Sequence, residues 1–176
     1  MRVAVVAGNL KPGSRTLDAA IRAASLLTGS EPDTVVDVIT LGAGLLSWDD
    51  PAVKEAIASV QESSVVVFAS PTYKASFTGV LKLFLDLIPS KGLTGIVAVP
   101  LMLGAGPAHA LAPELTLKPV LVELGALCPT PGLYLLDSTY AEEGSMDTWL
   151  ATAAPAVAAL AHAGLARTTP LAGELR

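Results

Sequence analysis

Cysteine is nearly absent from this chain: Cys128 stands alone among 176 residues. An internal disulfide and a cysteine-rich metal site are both excluded. Histidine is almost as scarce, with only His109 and His162. No HExxH pattern, no Ser-His-Asp order and no carboxylate pair at a plausible site is present, so zinc hydrolysis and triad chemistry have no residues to work with. Cys128, between Leu127 and Pro129, reads as a small buried hydrophobe rather than a nucleophile. Aromatic residues make up 5% of the chain, and Trp48 and Trp149 read as packing residues. Charge is thin as well. Only 15% of residues are charged, against roughly 25% in average globular chains. The net charge is −5 and no basic stripe is visible, which argues against nucleic acid as a partner.

Long apolar spans are missing too, although 52% of the chain is hydrophobic. Residues 92–113 and 148–166 carry no formal charge, but the first stretch is broken by Gly92, Gly95, Pro100, Gly104, Gly106 and Pro107. The second is mostly alanine and contains Pro155, His162 and Gly164. Neither makes a span of ~20 apolar residues. The N-terminus runs straight into a strand pattern without a signal-peptide layout. A single cytoplasmic domain over 1–176 is the expectation. High apolar content with little charge also points to homo-oligomerisation as the simplest use for the surplus apolar surface.

What is present is a regular alternation. Strand patterns at 2–8, 34–41, 65–69, 95–101 and 130–136 alternate with helix patterns at 16–28, 51–62, 77–88, 109–124 and 145–164. Pro51 stands where proline favours a helix start. The fourth helix should begin properly near Pro113 and be disturbed by Pro119. Residues 42–50 read as a loop, and residues 165–176 as a frayed tail with His162 near the surface before it. Alternation of this kind gives an α/β three-layer sandwich around a five-stranded parallel sheet. Five strands and this length favour the flavodoxin-like order 2-1-3-4-5 over the Rossmann order. In that order the loops after the first and third strands flank the point where ligands bind.

Those loops are the two most ligand-like in the chain. The first, Gly8-Asn9-Leu10-Lys11-Pro12-Gly13-Ser14-Arg15-Thr16, leads from strand to helix. Helix N-termini favour phosphate. Ser14 and Thr16 add hydroxyls, and Lys11 and Arg15 add two of the eleven cations. N-capping accounts for one hydroxyl but not for the paired cations. Gly8 and Gly13 have the Walker spacing, yet Ser14-Arg15 follows where Lys and Ser/Thr are required, so a nucleoside triphosphatase is discounted. A dinucleotide fingerprint fails too: Gly42-x-Gly44 follows the second strand, not the first, and lacks a third glycine.

The second loop runs through Pro71, Thr72, Tyr73 and Lys74 at the carboxyl end of a buried strand. A stiff turn bearing a ring and a cation suits a flat, electron-poor ligand. Beyond it Phe77, Val80, Leu81, Phe84, Leu85 and Ile88 recur at helical spacing, with Lys82 and Asp86 placed to pair. Leu83 and Leu87 widen the apolar arc enough for a subunit interface. A third loop, from Leu103 through Gly104, Ala105 and Gly106, has side chains small enough for its amides to approach a planar ligand.

Residues 71–86 read P-x-Y-K-x-S-x-x-G-x-L-K-x-x-L-D, carried by Pro71, Tyr73, Lys74, Ser76, Gly79, Leu81, Lys82, Leu85 and Asp86. This resembles the flavin-contacting signature of the NADPH-dependent FMN reductase family. Gly8, Ser14 and Thr16 match that family's phosphate loop, with Asn9 for its usual serine and Lys11 for its usual arginine. Residues 105–126 look like the matching segment of reductases that feed alkanesulfonate monooxygenases. Some of those carry an inserted Tyr or His that makes a π-bulge near the flavin at the oligomer interface, and alignment puts Leu115 there. The resemblance covers about residues 1–137. It implies FMN as flavin and NADPH or NADH as donor, with hydride passing from nicotinamide C4 to flavin N5 and no side chain as general acid or base. It also implies a homodimer or homotetramer, and a flavin-dependent monooxygenase as a partner. Asn9, Lys11, Ser14, Arg15 and Thr16 would hold the phosphate. Pro71, Thr72, Tyr73 and Lys74 would shape the ring edge, and Lys74 could stabilise charge at N1–C2=O. Gly104 and Ala105 would offer amides. His109 either touches flavin or nicotinamide or simply packs its helix. Two alternatives stay open: a tight-FMN reductase of quinones, azo dyes or metal oxyanions, and a non-catalytic flavin-binding electron carrier.

Overall fold

Strands made almost wholly of valine, leucine and alanine need cover on both faces. Val3–Ala7 (β1), Val65–Pro71 (β3) and Val97–Gly104 (β4) are such strands, and every residue of β1 and β4 is buried. In the computed structural model, which describes residues 1–164, they are joined by Thr34–Asp37 (β2) and Leu133–Leu136 (β5). All five are parallel, in the order β2-β1-β3-β4-β5. The expected topology is the observed one. Expectations for residues 165–176 and for the His162 side chain lie outside the described residues.

Strand alternation divides the core in two. Val3, Val5, Ala7, Val67 and Val99 face Arg15–Thr28 (α1) and Asp147–Gly164 (α5). Ala19, Ala20, Ala23 and Ala24 of α1 are fully buried, so that helix approaches the sheet closely. Ala4, Val6, Val66, Phe68 and Met102 face Pro51–Gln61 (α2), Gly79–Asp86 (α3) and Lys118–Glu123 (α4). Phe68 and Phe84 are both fully enclosed on this side, and removing either ring would cost about 3–5 kcal/mol. Asp50 caps α2 by accepting from the N–H groups of Ala52 and Val53, with Pro51 at the first helical position as expected.

Three segments and one side chain differ from the expectation. β2 stops at Asp37, and 3-10 turns over Val38–Leu46 replace its second half, bent where Gly42 takes φ 54. The helix after β3 starts only at Gly79, because residues 72–78 form a hairpin and an extended lead-in. The fourth helix is a 3-10 turn at Pro107–His109, a π-turn at Pro113–Leu117 and then α4. Pro119 has no N–H to give the Leu115 carbonyl. The wider π-turn just before it closes instead with the Lys118 N–H on the Pro113 carbonyl. Trp48 is 72% exposed rather than packed. Trp149 does pack, donating from its indole N–H to the Pro131 carbonyl. Among the described residues no helix is long and apolar enough to cross a membrane.

Candidate functional site

The site lies at the carboxyl ends of β1, β3 and β4, where the strand order reverses and ligands bind in sheets of this kind. The loop after β1 is fixed from both sides. Gly8 donates to the Ala69 carbonyl at 2.9 Å, and its carbonyl accepts from the Thr78 hydroxyl at 2.7 Å. A Cβ on Gly8 would stand 2.3 Å from the Leu81 Cβ, so this backbone presses directly on α3. Thr78 caps α3 through the Leu81 N–H and is itself held by Ser70 Oγ at 2.9 Å.

Asn9 organises the rest of the loop. Its Oδ1 accepts from the Lys11 N–H and its Nδ2 donates to Thr16 Oγ1 at 3.1 Å. The Thr16 proton is thereby left for another acceptor. Ser14 caps α1 by accepting from the Leu17 N–H. The N–H groups of Arg15 and Thr16, in the first turn of a 14-residue helix, have no acceptor within that helix. They form the positive end of its dipole. Ser14 and Thr16 are buried. Gly13 donates to Asp37 Oδ2 at 2.8 Å, which ties the loop to the end of β2.

The second wall is a tight hairpin. Tyr73 and Ser76 exchange both backbone hydrogen bonds, at 2.9 and 3.1 Å. Lys74 and Ala75 between them adopt φ 52 and 65. This left-handed pair normally selects Asn and Gly, so two L-residues are held here in strained backbone. The Thr72 N–H donates to the Leu103 carbonyl at 2.7 Å, while the Thr72 hydroxyl is buried without a partner. Buried hydroxyls are normally paired, so this one is a ready contact for a bound molecule.

β4 closes the third side. A Cβ on Gly104 would fall 1.8 Å from the Tyr134 hydroxyl. That hydroxyl donates to the Gly106 carbonyl at 2.6 Å and holds the loop down. The Asp137 N–H, just past β5, donates to the Gly104 carbonyl.

Together these loops enclose a cleft of about 390 Å³, within the usual range for a small-molecule site. Ten of the eleven expected residues line it: Asn9, Lys11, Ser14, Arg15 and Thr16 on one side, Pro71, Thr72 and Tyr73 on the second, Gly104 and Ala105 on the third. Lys74 does not. The hairpin carries it to an exposed tip outside the cleft. His109 is exposed in a neighbouring groove with Leu111 and Leu115. The π-turn forms with Leu115 in place of an aromatic residue, 67% exposed.

Two carboxylates at this site escaped the sequence reading. Asp137 lines the cleft with its Oδ2 3.3 Å from Arg15 Nη2, and its carbonyl accepts from Arg15 Nη1. Asp37 holds Gly13 from behind. Their partners lie 122 and 24 residues away, and no local pattern links such pairs. The fit to a flavin phosphate is good. Two cations, two hydroxyls and a helix N-terminus converge at one end, and a ring, a proline and small backbone at the other. Cys128 takes no part: burial pushes its thiol up to about 11.

Comparison with known proteins agrees with this geometry. Residues 1–141 match the family model described as NADPH-dependent FMN reductase. The chain is 41% identical over 91 residues to FMN reductase (NADPH) of Escherichia coli (strain K12), covering 52% of this chain and 48% of that one. It is 31% identical over 137 residues to the NADH-dependent FMN reductase SfnE of Pseudomonas putida, covering 76% of this chain and 68% of that one. The chain spans about half the length of the curated NADPH-type reductases it matches. Among solved structures, the apo form of the NADH:FMN oxidoreductase EMOB superposes with a TM-score of 0.78 at 28% identity, over 92% of this chain and 89% of that one. With 141 of its residues covered by the family model, the chain belongs to the NADPH-dependent FMN reductase family.

Proposed function

We propose that this protein is an NAD(P)H-dependent FMN reductase that hands reduced flavin to a flavin-dependent monooxygenase. The observation that carries this reading is the convergence of the Asn9–Thr16 loop, the Pro71–Tyr73 turn and Gly104–Ala105 on one cleft. The flavin supplies the chemistry, accepting a hydride from reduced nicotinamide, and the protein supplies binding and orientation. Lys11, Ser14, Thr16 and the first N–H groups of α1 bind the phosphate. Asn9 turns the Thr16 hydroxyl toward it. Thr72 and the Gly104–Ala105 backbone orient the ring, and Tyr73 stacks beside it. No side chain is asked to move a proton, which accords with the lack of any histidine in the cleft.

Two further grooves support a homo-oligomer, either dimer or tetramer. Leu111 and Leu115 are exposed beside the hairpin, and a second groove runs between α3 and α4. Other copies of the chain would cover both. The reading includes a single domain and a cytoplasmic location, in keeping with the expected absence of disulfides.

The test is oxidation of NADPH and of NADH by purified protein in air, with and without added FMN. Consumption that needs added FMN and continues over many turnovers is expected. Consumption without added FMN, by yellow protein and only with a quinone present, would replace this reading with that of a tight-flavin quinone reductase. No consumption in any mixture would overturn it.

A further inference from the structure

Resting on that reading, we propose that Asp137 competes with the FMN phosphate for Arg15, and so keeps flavin binding loose enough for the reduced product to leave. An anion site needs its cations free. Here Arg15, one of two cations lining the cleft, is already engaged twice by Asp137, through the carboxylate at 3.3 Å and the carbonyl at 3.2 Å. Asp137 itself lines the same cleft. It therefore acts against a phosphate in two ways: it occupies the guanidinium, and it adds like charge.

The placement is fixed by the backbone. Asp137 follows β5 directly, and its N–H is tied to the Gly104 carbonyl at 3.0 Å. Arg15 is the first residue of α1, fixed by the Ser14 cap. A second carboxylate works in the same direction, since Asp37 Oδ2 takes the Gly13 N–H at 2.8 Å and removes a loop donor from the phosphate. The buried Asp37 Oδ1 has no partner, so its charge is not offset by a second hydrogen bond. The Arg15–Asp137 pair is nevertheless open to water, with the arginine side chain 65% exposed. Such a pair is weak. It yields to an arriving phosphate, lowering affinity without closing the site. A reductase that must release reduced flavin needs this balance, whereas a flavoprotein that keeps its flavin does not.

The experiment is titration of FMN and riboflavin into wild type and Asp137→Asn, followed by flavin fluorescence, at low and high salt. Asp137→Ser is run beside it, so that a folding defect in one variant does not decide the result. Asn keeps the backbone contacts and removes only the charge. FMN dissociation constants about tenfold lower are expected, the effect of removing one nearby like charge and freeing a cation at a partly wet site. Riboflavin, which lacks the phosphate, should bind as in wild type. The FMN gain should shrink at high salt. In turnover, KM for FMN and kcat should both fall, because product release slows.

FMN binding that is unchanged or weaker in both variants would overturn the proposal while leaving the flavin site intact. An equal change for FMN and riboflavin would also overturn it, by assigning Asp137 to a part of the molecule the two flavins share. If wild type binds neither flavin, the reductase reading itself fails, and the two failures are thereby distinguished.

Discussion

Replacing Thr78 by Val should damage both the fold and the flavin site, because one hydroxyl joins them. Thr78 is 3% exposed. Its Oγ1 donates to the Gly8 carbonyl at 2.7 Å and accepts from the Leu81 N–H at 3.2 Å. Valine keeps the branched shape but offers neither bond. Loss of an N-cap costs about 1 kcal/mol. A buried carbonyl left without its donor costs about 1–3 kcal/mol more. The sum, about 2–4 kcal/mol, is a large part of the 5–15 kcal/mol typical of a whole domain. At this chain length it corresponds to a fall in Tm of roughly 5–15 °C. Urea unfolding of wild type and Thr78→Val, with the same m-value for both, measures it directly. FMN affinity should fall as well, since Gly8 begins the phosphate loop. A loss below about 0.5 kcal/mol would show that water replaces the hydroxyl at Gly8 and would refute the reasoning. Thr78→Ser, which restores the hydroxyl, should recover most of the loss.

Gly8, Cys128 and Glu114 each offer a further test. Gly8→Ala puts a methyl 2.3 Å from the Leu81 Cβ and 2.8 Å from its Cα. Because that neighbour is backbone, the overpacking should cost about 1–3 kcal/mol, and phosphate-dependent flavin binding should weaken more than riboflavin binding. Cys128, with its thiol pushed up to about 11 by burial, should react very slowly with a disulfide reagent at pH 8 and rapidly after urea unfolding; fast reaction of the folded protein would contradict its placement. Burial alone would raise the Glu114 carboxyl, but the Lys118 ammonium and the Gly132 N–H outweigh it and hold the group below the usual range. A carboxyl depressed in the folded state stabilises above its unfolded value and loses that contribution as pH falls through its folded value. Glu114→Gln should therefore flatten the stability profile below about pH 4.3. With Glu114 37% exposed, the effect should stay under about 1 kcal/mol, and an unchanged acid limb would contradict it.

Much of this architecture is written in short-range pattern. Runs such as Val3–Ala7 and residues 65–69 announce buried parallel strands because nothing polar interrupts them. The alternation with helices then leaves few topologies. The loop after β1 stands out as a candidate phosphate site for a similar reason, since hydroxyls and cations crowd a strand-to-helix junction. The π-turn at Pro113–Leu117 forms with Leu115 where some of the reductases this segment resembles carry an aromatic residue.

The misses share a cause as well. Lys74 reads as a ring-edge cation until the Tyr73–Ser76 hairpin turns it outward, and no glycine marks the left-handed pair at Lys74 and Ala75. Asp37 and Asp137 become site residues only when β2 and β5 end beside the phosphate loop. Trp48 reads as core because tryptophan usually is, yet it sits in the exposed turn between the 3-10 segment and α2. In each case the deciding contact is tertiary, and periodicity carries no record of it.

The most direct test of the account is a single turnover without oxygen. Purified protein, one equivalent of FMN and one of NADPH are mixed, and flavin colour and nicotinamide absorbance are followed together. The two signals should be lost in step, one flavin reduced for each nicotinamide oxidised, much faster than without protein. The reduced flavin should then pass through a membrane that retains the protein. Flavin that stays yellow while binding the cleft would contradict it, and would leave a protein that holds flavin without reducing it.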